Sequence, residues 1–161
     1  MTIRDTTIAD YEQIQEIYAY ARRQMRQNGN PTQWGDDKPS AETLLQDIQN
    51  RQSHIIEEHG QICGVFTFII GEDPTYRTIE QGHWLDDAPY GTIHRIAGNG
   101  TAKGVFRQCL EYCMSQIPNI RIDTHRDNAL MRHLLEKNGF LPCGIIYVED
   151  GSPRIAYQKR P

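Results

Sequence analysis

Neither charge is in large surplus. The 17 basic and 21 acidic residues leave a net charge of −4, and the Lys and Arg residues are scattered. Nothing is concentrated enough to meet the phosphates of a nucleic acid, so that class of partner is set aside. Long apolar runs are also missing. The longest apolar-rich stretch, Val65–Ile70, is far short of the roughly 20 residues that span a bilayer. The chain opens Met1-Thr2-Ile3-Arg4 in a strand-like pattern without the marks of a signal peptide, and the cytoplasm is the expected compartment. Cysteine is sparse and no CxxC pair occurs: Cys63, Cys109, Cys113 and Cys143 suit free thiols. Cys109 and Cys113 stand four apart on the apolar side of an expected helix. That favours burial over a zinc site completed by His125 or His133, and no metal is expected. Repeats, linkers and low-complexity segments are absent too, so one domain over residues 1–161 is expected.

What the sequence does have is a change of period between Ile93 and Gln116. Ile93, Ile96 and Ala97 read as the end of a strand. Gly98-Asn99-Gly100 follows as a tight turn, because Gly, and less readily Asn, adopts positive φ. From there the apolar residues fall at Ala102, Val105, Phe106, Cys109, Leu110, Cys113 and Ile117, the three-to-four spacing of one helix face. A helix start leaves backbone N–H groups unpaired and carries the positive end of the dipole, which suits a phosphate. Lys103 and Arg107 oppose that dipole and make better sense if an anion is expected. A plain β-turn-α connection accounts for the same glycines, since a short Gly pattern is a weak signal alone.

The remaining elements follow in order. Thr2–Asp5 reads as a first strand. Thr7 with Asp10 caps a helix whose inner face is Ile14, Ile17, Tyr18, Ala21 and Met25, and Asn28-Gly29-Asn30-Pro31 ends it. Thr32–Pro39 is a polar loop carrying Trp34, either a lid or part of a pocket. Ser40 caps a second helix with Leu44, Leu45 and Ile48 inward. His54–Glu58 and Gln61–Ile70 make a hairpin around His59-Gly60. Gly71–Tyr90 is a long connection in which Ile79–Trp84 is a candidate strand. Asn119–Thr124 alternates as a strand, Asn128 opens a helix that stops at Asn138-Gly139, and Phe140–Val148 and Arg154–Gln158 are the last strands.

This order, β-α-α-β-β-(β)-β-α-β-α-β-β, is an α/β mixed sheet of about six or seven strands with helices on both faces. It resembles the GNAT superfamily of N-acetyltransferases. The superfamily's cofactor signature, Gln/Arg-x-x-Gly-x-Gly/Ala after its fourth strand, corresponds to Thr101-Ala102-Lys103-Gly104-Val105-Phe106. Gly104 matches; Thr101 and Phe106 do not. The superfamily's later pattern, an Asn opening a helix that ends in Gly-Phe, appears as Asn128 through Gly139-Phe140. The segments QW…P, TIHRIA, IRIDTHRDN and GIIYVEDGSPR are similar in wording to a bacterial subgroup whose substrates are mostly unassigned. The resemblance implies acetyl-CoA between the strand ending near Ala97 and the strand starting near Asn119. Its pyrophosphate would rest on the N–H groups of roughly Ala102 to Arg107, taking in Lys103, Gly104 and Val105, with Thr101 capping the helix. Ile96 and Ala97 would bond the pantetheine arm, and Asn128 would touch the cofactor further along. Phe106 is harmless where it points into the core.

Transfer from a thioester to an amine needs a base for the ammonium, polarisation of the carbonyl and a proton for the leaving thiolate. The superfamily often supplies that proton from a Tyr a few residues before Gly-Phe; here the place is Leu135. Tyr147 or Tyr112 can stand in. His94, Glu80 and Asp123 are the candidate bases, with Asp123 equally a scaffold for its turn, and water is able to relay protons. Trp34, Tyr76, Trp84 and Tyr90, with acidic residues on the same loops, suit a cationic acceptor. The expected activity is acetyl-CoA-dependent acetylation of a primary amine on a small molecule or peptide. The rivals are a non-catalytic acyl-CoA-binding or sensing protein on the same fold, and a phosphate-ligand binding protein. The final hairpin offers a route to a homodimer.

Overall fold

The computed structural model describes residues 1–161. The first half runs β1 (Thr2–Asp5), α1 (Tyr11–Gln27), α2 (Ala41–Gln49), β2 (Ser53–Glu58) and β3 (Gln61–Ile70). Thr7 and Asp10 do form the expected cap, with the Thr7 N–H donating to Oδ2 of Asp10 at 2.8 Å. What they open is a short 3-10 turn, Ile8–Asp10, that leads into α1. Ser40 caps α2 by accepting from the Thr43 N–H at 3.2 Å. Positive φ at His59 and Gly60 turns β2 back on β3.

The second half runs β4 (Gly91–Gly98), α3 (Val105–Gln116), β5 (Ile120–Thr124), α4 (Ala129–Lys137), β6 (Leu141–Tyr147) and β7 (Pro153–Lys159). All seven strands join one sheet in the order β1-β2-β3-β4-β5-β7-β6. Every pairing is antiparallel except β4 with β5. Two expectations are corrected. Helix α3 begins at Val105 rather than Ala102, because Gly104 sits at φ +80, a left-handed conformation that no helix interior contains. Thr101 therefore caps nothing; its N–H and hydroxyl both donate to Oδ1 of Asn99. The stretch Ile79–Trp84 is not a strand. It touches the sheet through one bridge, Glu80 to Ile145, where Gly144 lies so close that a Cβ would stand 2.5 Å from the Glu80 carbonyl oxygen.

Strand alternation sorts the side chains into two unlike faces. Ile56, Phe66, Phe68, Ile93, Ile120 and Ile122 point towards α3 and α4 and build the larger core with Phe106, Cys109, Leu110, Cys113 and Leu135. On the opposite face Ile55, Val65 and Ala97 pack under α1 and α2 with Ile14, Ile17, Tyr18 and Leu44. That second face turns polar from β4 onward. The register places Thr92 beside Arg121, Arg121 beside Gln158, and Asp123 beside Ala156, so His94, Arg121, Asp123, Arg154 and Gln158 all emerge on one side. No helix covers them. The Gly71–Tyr90 connection roofs part of this surface, with the Arg121 guanidinium held between Trp84 and Tyr90 at 4.1 and 4.0 Å from the ring centroids. The rest stays open.

Candidate active site

The opening arises where two parallel strands separate. β4 and β5 pair only through Gly91–Ile120 and Thr92–Arg121; from Ile93 onward their edges diverge. A β-bulge helps to part them. Val65 of β3 pairs with Ala97, whereas Thr67 pairs with His94, so β4 carries an extra residue. Arg95 takes up the irregularity at φ +51, an unusual conformation for a non-Gly residue. Its carbonyl accepts from the Tyr18 hydroxyl at 2.6 Å, and its guanidinium is ion-paired to Asp47 of α2. The bulge is thus held by both α1 and α2.

Two cavities flank the split. One, of about 350 Å³, is mostly apolar and runs from Ala97, Gly98 and Gly100 past Val105 to Leu134. The other, of about 680 Å³, lies over the polar side of the sheet. Met25, Ile96, Asn128 and Met131 line both, so the two adjoin along the split; together they are termed the channel.

At the outer end of the smaller cavity the backbone is rich in donors. The N–H groups of Ala102 through Arg107 have no partner in the chain, and the next, Gln108, bonds the Gly104 carbonyl at 3.0 Å. Gly104 faces open space, with nothing within 4 Å of a Cβ placed there. Phe106 turns away from this nest; it is 6 % exposed and packs towards Phe140. Lys103 and Arg107 lie exposed on the rim, Arg107 paired with Glu111. Asn128 caps α4 through Oδ1, which accepts from the Met131 N–H, while its Nδ2 donates to Oε1 of Gln33. Both ends of that amide are committed within the protein, although it still lines the channel.

The larger cavity carries the titratable groups. His94 projects from β4 with Nε2 3.1 Å from Oδ2 of Asp73. Asp73 also accepts from the N–H and hydroxyl of Thr75. Burial works to raise the Asp73 carboxyl, but the bonds from His94 and Thr75 prevail and hold it at about 2. Across the split, Asp123 of β5 accepts from the Tyr76 hydroxyl at 2.6 Å. Burial raises this second carboxyl, against the opposing pull of Tyr76, His94 and Arg154. Burial and the facing carboxylate together push the Tyr76 phenol well up. An imidazole braced by a carboxylate on one wall and a carboxyl on the other suit an ammonium group between them.

The other sequence candidates separate clearly. Trp34 lines the larger cavity and packs edge-on against Tyr18. Tyr76 instead stacks on Tyr90 and packs at a tilt against Trp84 behind the wall, and it reaches the site only through Asp123. Glu80 and Tyr147 bond each other at 2.9 Å on the exterior, away from the channel. Tyr112 packs against His54 and Phe66, and Leu135 is fully buried. Sequence reasoning did not single out Asp73, Gln33 or Arg154. The alternation of NIRIDT carried a signal, since Arg121 and Asp123 occupy the face opposite Ile120 and Ile122.

A mixed sheet split between its fourth and fifth strands, with a donor-lined helix start beside the split, defines a class of acyl-transfer fold. The sequence matches the acetyltransferase (GNAT) domain family over residues 1–141, and the chain belongs to that family. A GNAT acetyltransferase from Streptococcus agalactiae is similar at 30% identity and a TM-score of 0.89, covering 99% of this chain and 95% of that one. A putative acetyltransferase from Staphylococcus aureus shares 22% identity at a TM-score of 0.71, over 99% of each chain. A putative acetyltransferase from Salmonella typhimurium, solved with its cofactor acetyl-CoA, shares 18% identity at a TM-score of 0.63, over 99% of this chain and 92% of that one. No protein of curated function matches the sequence.

Proposed function

We propose that the protein transfers the acetyl group of acetyl-CoA to a primary amine of a small molecule or peptide. The observation that carries this reading is the pair of adjoining cavities that lies between an unpaired amide nest at Ala102–Arg107 and a His–Asp pair across the β4–β5 split. The residues fit the donor. The nest and the exposed Lys103 and Arg107 suit a diphosphate, and the apolar cavity beside Ile96 and Ala97 suits a pantetheine arm. Phe106, where the family signature has Gly or Ala, lies in the core and leaves the nest clear.

The thioester supplies an activated acetyl group when bound. The chain's own part is positioning and proton handling. The backbone of β4 beyond Thr92 has no β5 partner and offers main-chain groups to the arm and the thioester carbonyl. His94 removes the proton from the acceptor ammonium, and ionised Asp73 holds the ring and steadies its charged form. Asp123 faces the same ammonium from β5. With buried Leu135 at the usual position of the acid, protonation of the thiolate falls to water or to the proton His94 has taken. That same Leu135 favours a second reading, a non-catalytic acyl-CoA binder. The four buried thiols form no disulfide, which supports a cytoplasmic setting. β6 is the sheet edge and exposes Leu141 and Tyr147, which supports pairing of two copies there.

The test is a thermal melt followed by turnover. A site of about 10 µM should add roughly 2.7 kcal/mol at about 1 mM acetyl-CoA. No shift rejects both readings. A shift without thiol release across a broad amine panel leaves the non-catalytic binder.

A further inference from the structure

One positive charge on the larger cavity makes no ion pair within the chain, although it lies close enough to Asp123 to draw on that carboxyl. Lys38 is paired with Asp150, Arg95 with Asp47, and His94 with Asp73. Arg154 lines the same cavity and is only 7 % exposed, yet no carboxylate lies within ion-pair reach. Its guanidinium donates to the carbonyls of Pro153 at 2.9 Å and Gln33 at 3.3 Å. Those bonds use one donor on each terminal nitrogen and leave the charge without a contact partner. A buried guanidinium steadied by two carbonyls, with donors to spare, suits a planar anion.

Its place on the sheet says where that anion would lie. Asp123 pairs directly with Ala156, so Arg154, two residues earlier on β7, is its diagonal neighbour on the same face, a spacing of about 7–8 Å between backbones. The ammonium side of the cavity, His94 and Asp123, therefore adjoins a cation that wants a carboxylate. Building on the acetyl-transfer reading above, we propose that the acceptor is a small amine that carries its own carboxylate, an amino acid being the simplest form. Arg154 takes the carboxylate while His94 and Asp123 receive the amine. A protein N-terminus, whose first carboxyl is an amide, lacks the group that Arg154 would bind.

The experiment compares L-amino acids with their C-terminal amides, by acetyl-CoA turnover and by melting-temperature shift in the presence of CoA. The free acids are expected to exceed their amides in kcat/KM by about tenfold or more, since a site built for a polar group rejects the analogue lacking it. In Arg154→Gln that ratio should collapse towards one, and in Arg154→Lys part of it should return, while acetyl-CoA still raises the melting temperature of each variant. Amides used as well as acids, a ratio unchanged in Arg154→Gln, or no amino acid that turns over or shifts the melt would overturn the proposal. If acetyl-CoA does not bind, the transfer reading fails by itself. An Arg154-dependent shift from amino acids alone would then still establish the carboxylate site, and its absence would remove both.

Discussion

The carboxylate of Asp47 on α2 accepts from Nε and Nη2 of Arg95 on β4, at 2.8 and 2.9 Å. It also accepts from the Thr67 hydroxyl at 2.8 Å, so one buried carboxylate ties a helix to two strands at the bulge. Arg95 holds a left-handed backbone that costs on the order of 1–3 kcal/mol and persists only where neighbours enforce it. Asp47→Ala removes that enforcement and strands the Thr67 hydroxyl. The side chain of Arg95 is partly open to solvent, so the loss is expected near 2–3 kcal/mol rather than the larger cost of a fully buried pair. Urea unfolding measures it. Acetyl-CoA affinity should fall as well, because the bulge helps to part β4 from β5. A stable Asp47→Ala protein with unaltered affinity would show that the bulge does not set the channel.

The order of elements was legible because each strand and helix carries its own period, and turn residues such as His59-Gly60 and Asn138-Gly139 mark the stops. The amide nest was legible for the same local reason. What escaped is the part of the site fixed by distant pairing. Asp73 sits in a long connection with no period, and it becomes a partner of His94 only because that connection folds back over β4. Arg154 reads as one charged residue in a strand until β7 is inserted between β5 and β6, which brings it beside Asp123. The aromatic residues of the connection misled in the opposite direction. Tyr76, Trp84 and Tyr90 look like an acceptor pocket by composition, yet they pack on one another, and Trp84 and Tyr90 enclose Arg121.

Gly104 offers a direct test of the nest. A Cβ there meets no atoms within 4 Å, so the main cost of Gly104→Glu is the left-handed backbone, about 1–2 kcal/mol. It places a carboxylate where the diphosphate is expected. The variant should fold, with a modestly lower melting temperature, and lose the acetyl-CoA-induced shift. Retained affinity, read by calorimetry, would put the phosphates elsewhere.

The exterior pair Glu80 and Tyr147 makes a negative test of the channel. The Glu80 carboxylate accepts a hydrogen bond from the Tyr147 hydroxyl and raises that phenol above its ordinary value, which works against Tyr147 as an acid. Neither residue lines either half of the channel. Tyr147→Phe and Glu80→Gln should therefore leave kcat within about twofold, as surface substitutions usually do little. A loss of about a hundredfold or more, the scale of a missing acid, would return Tyr147 to the chemistry.

The His94–Asp73 pair predicts both a rate effect and an acid-stability effect. His94→Gln removes the proposed base and should lower kcat by about 10²–10⁴, whereas Asp73→Asn, which leaves the imidazole in place, should cost less. Asp73 is held at about 2, below its ordinary 3.8. A carboxylate with a depressed folded-state value stabilises the protein fully above the unfolded value, and that contribution disappears as pH falls through the folded one. In the native protein this part of the stability should thus be lost between about pH 4 and 2. Asp73→Asn starts from a lower melting temperature at neutral pH, and its curve should fall less steeply across that window. Asp73 also remains ionised at every pH where turnover is measured, so it adds no inflection to the rate profile. Parallel acid-melting curves for the two proteins would mean that the 3.1 Å contact contributes no stability in solution, and the bracing role given to Asp73 would go with it.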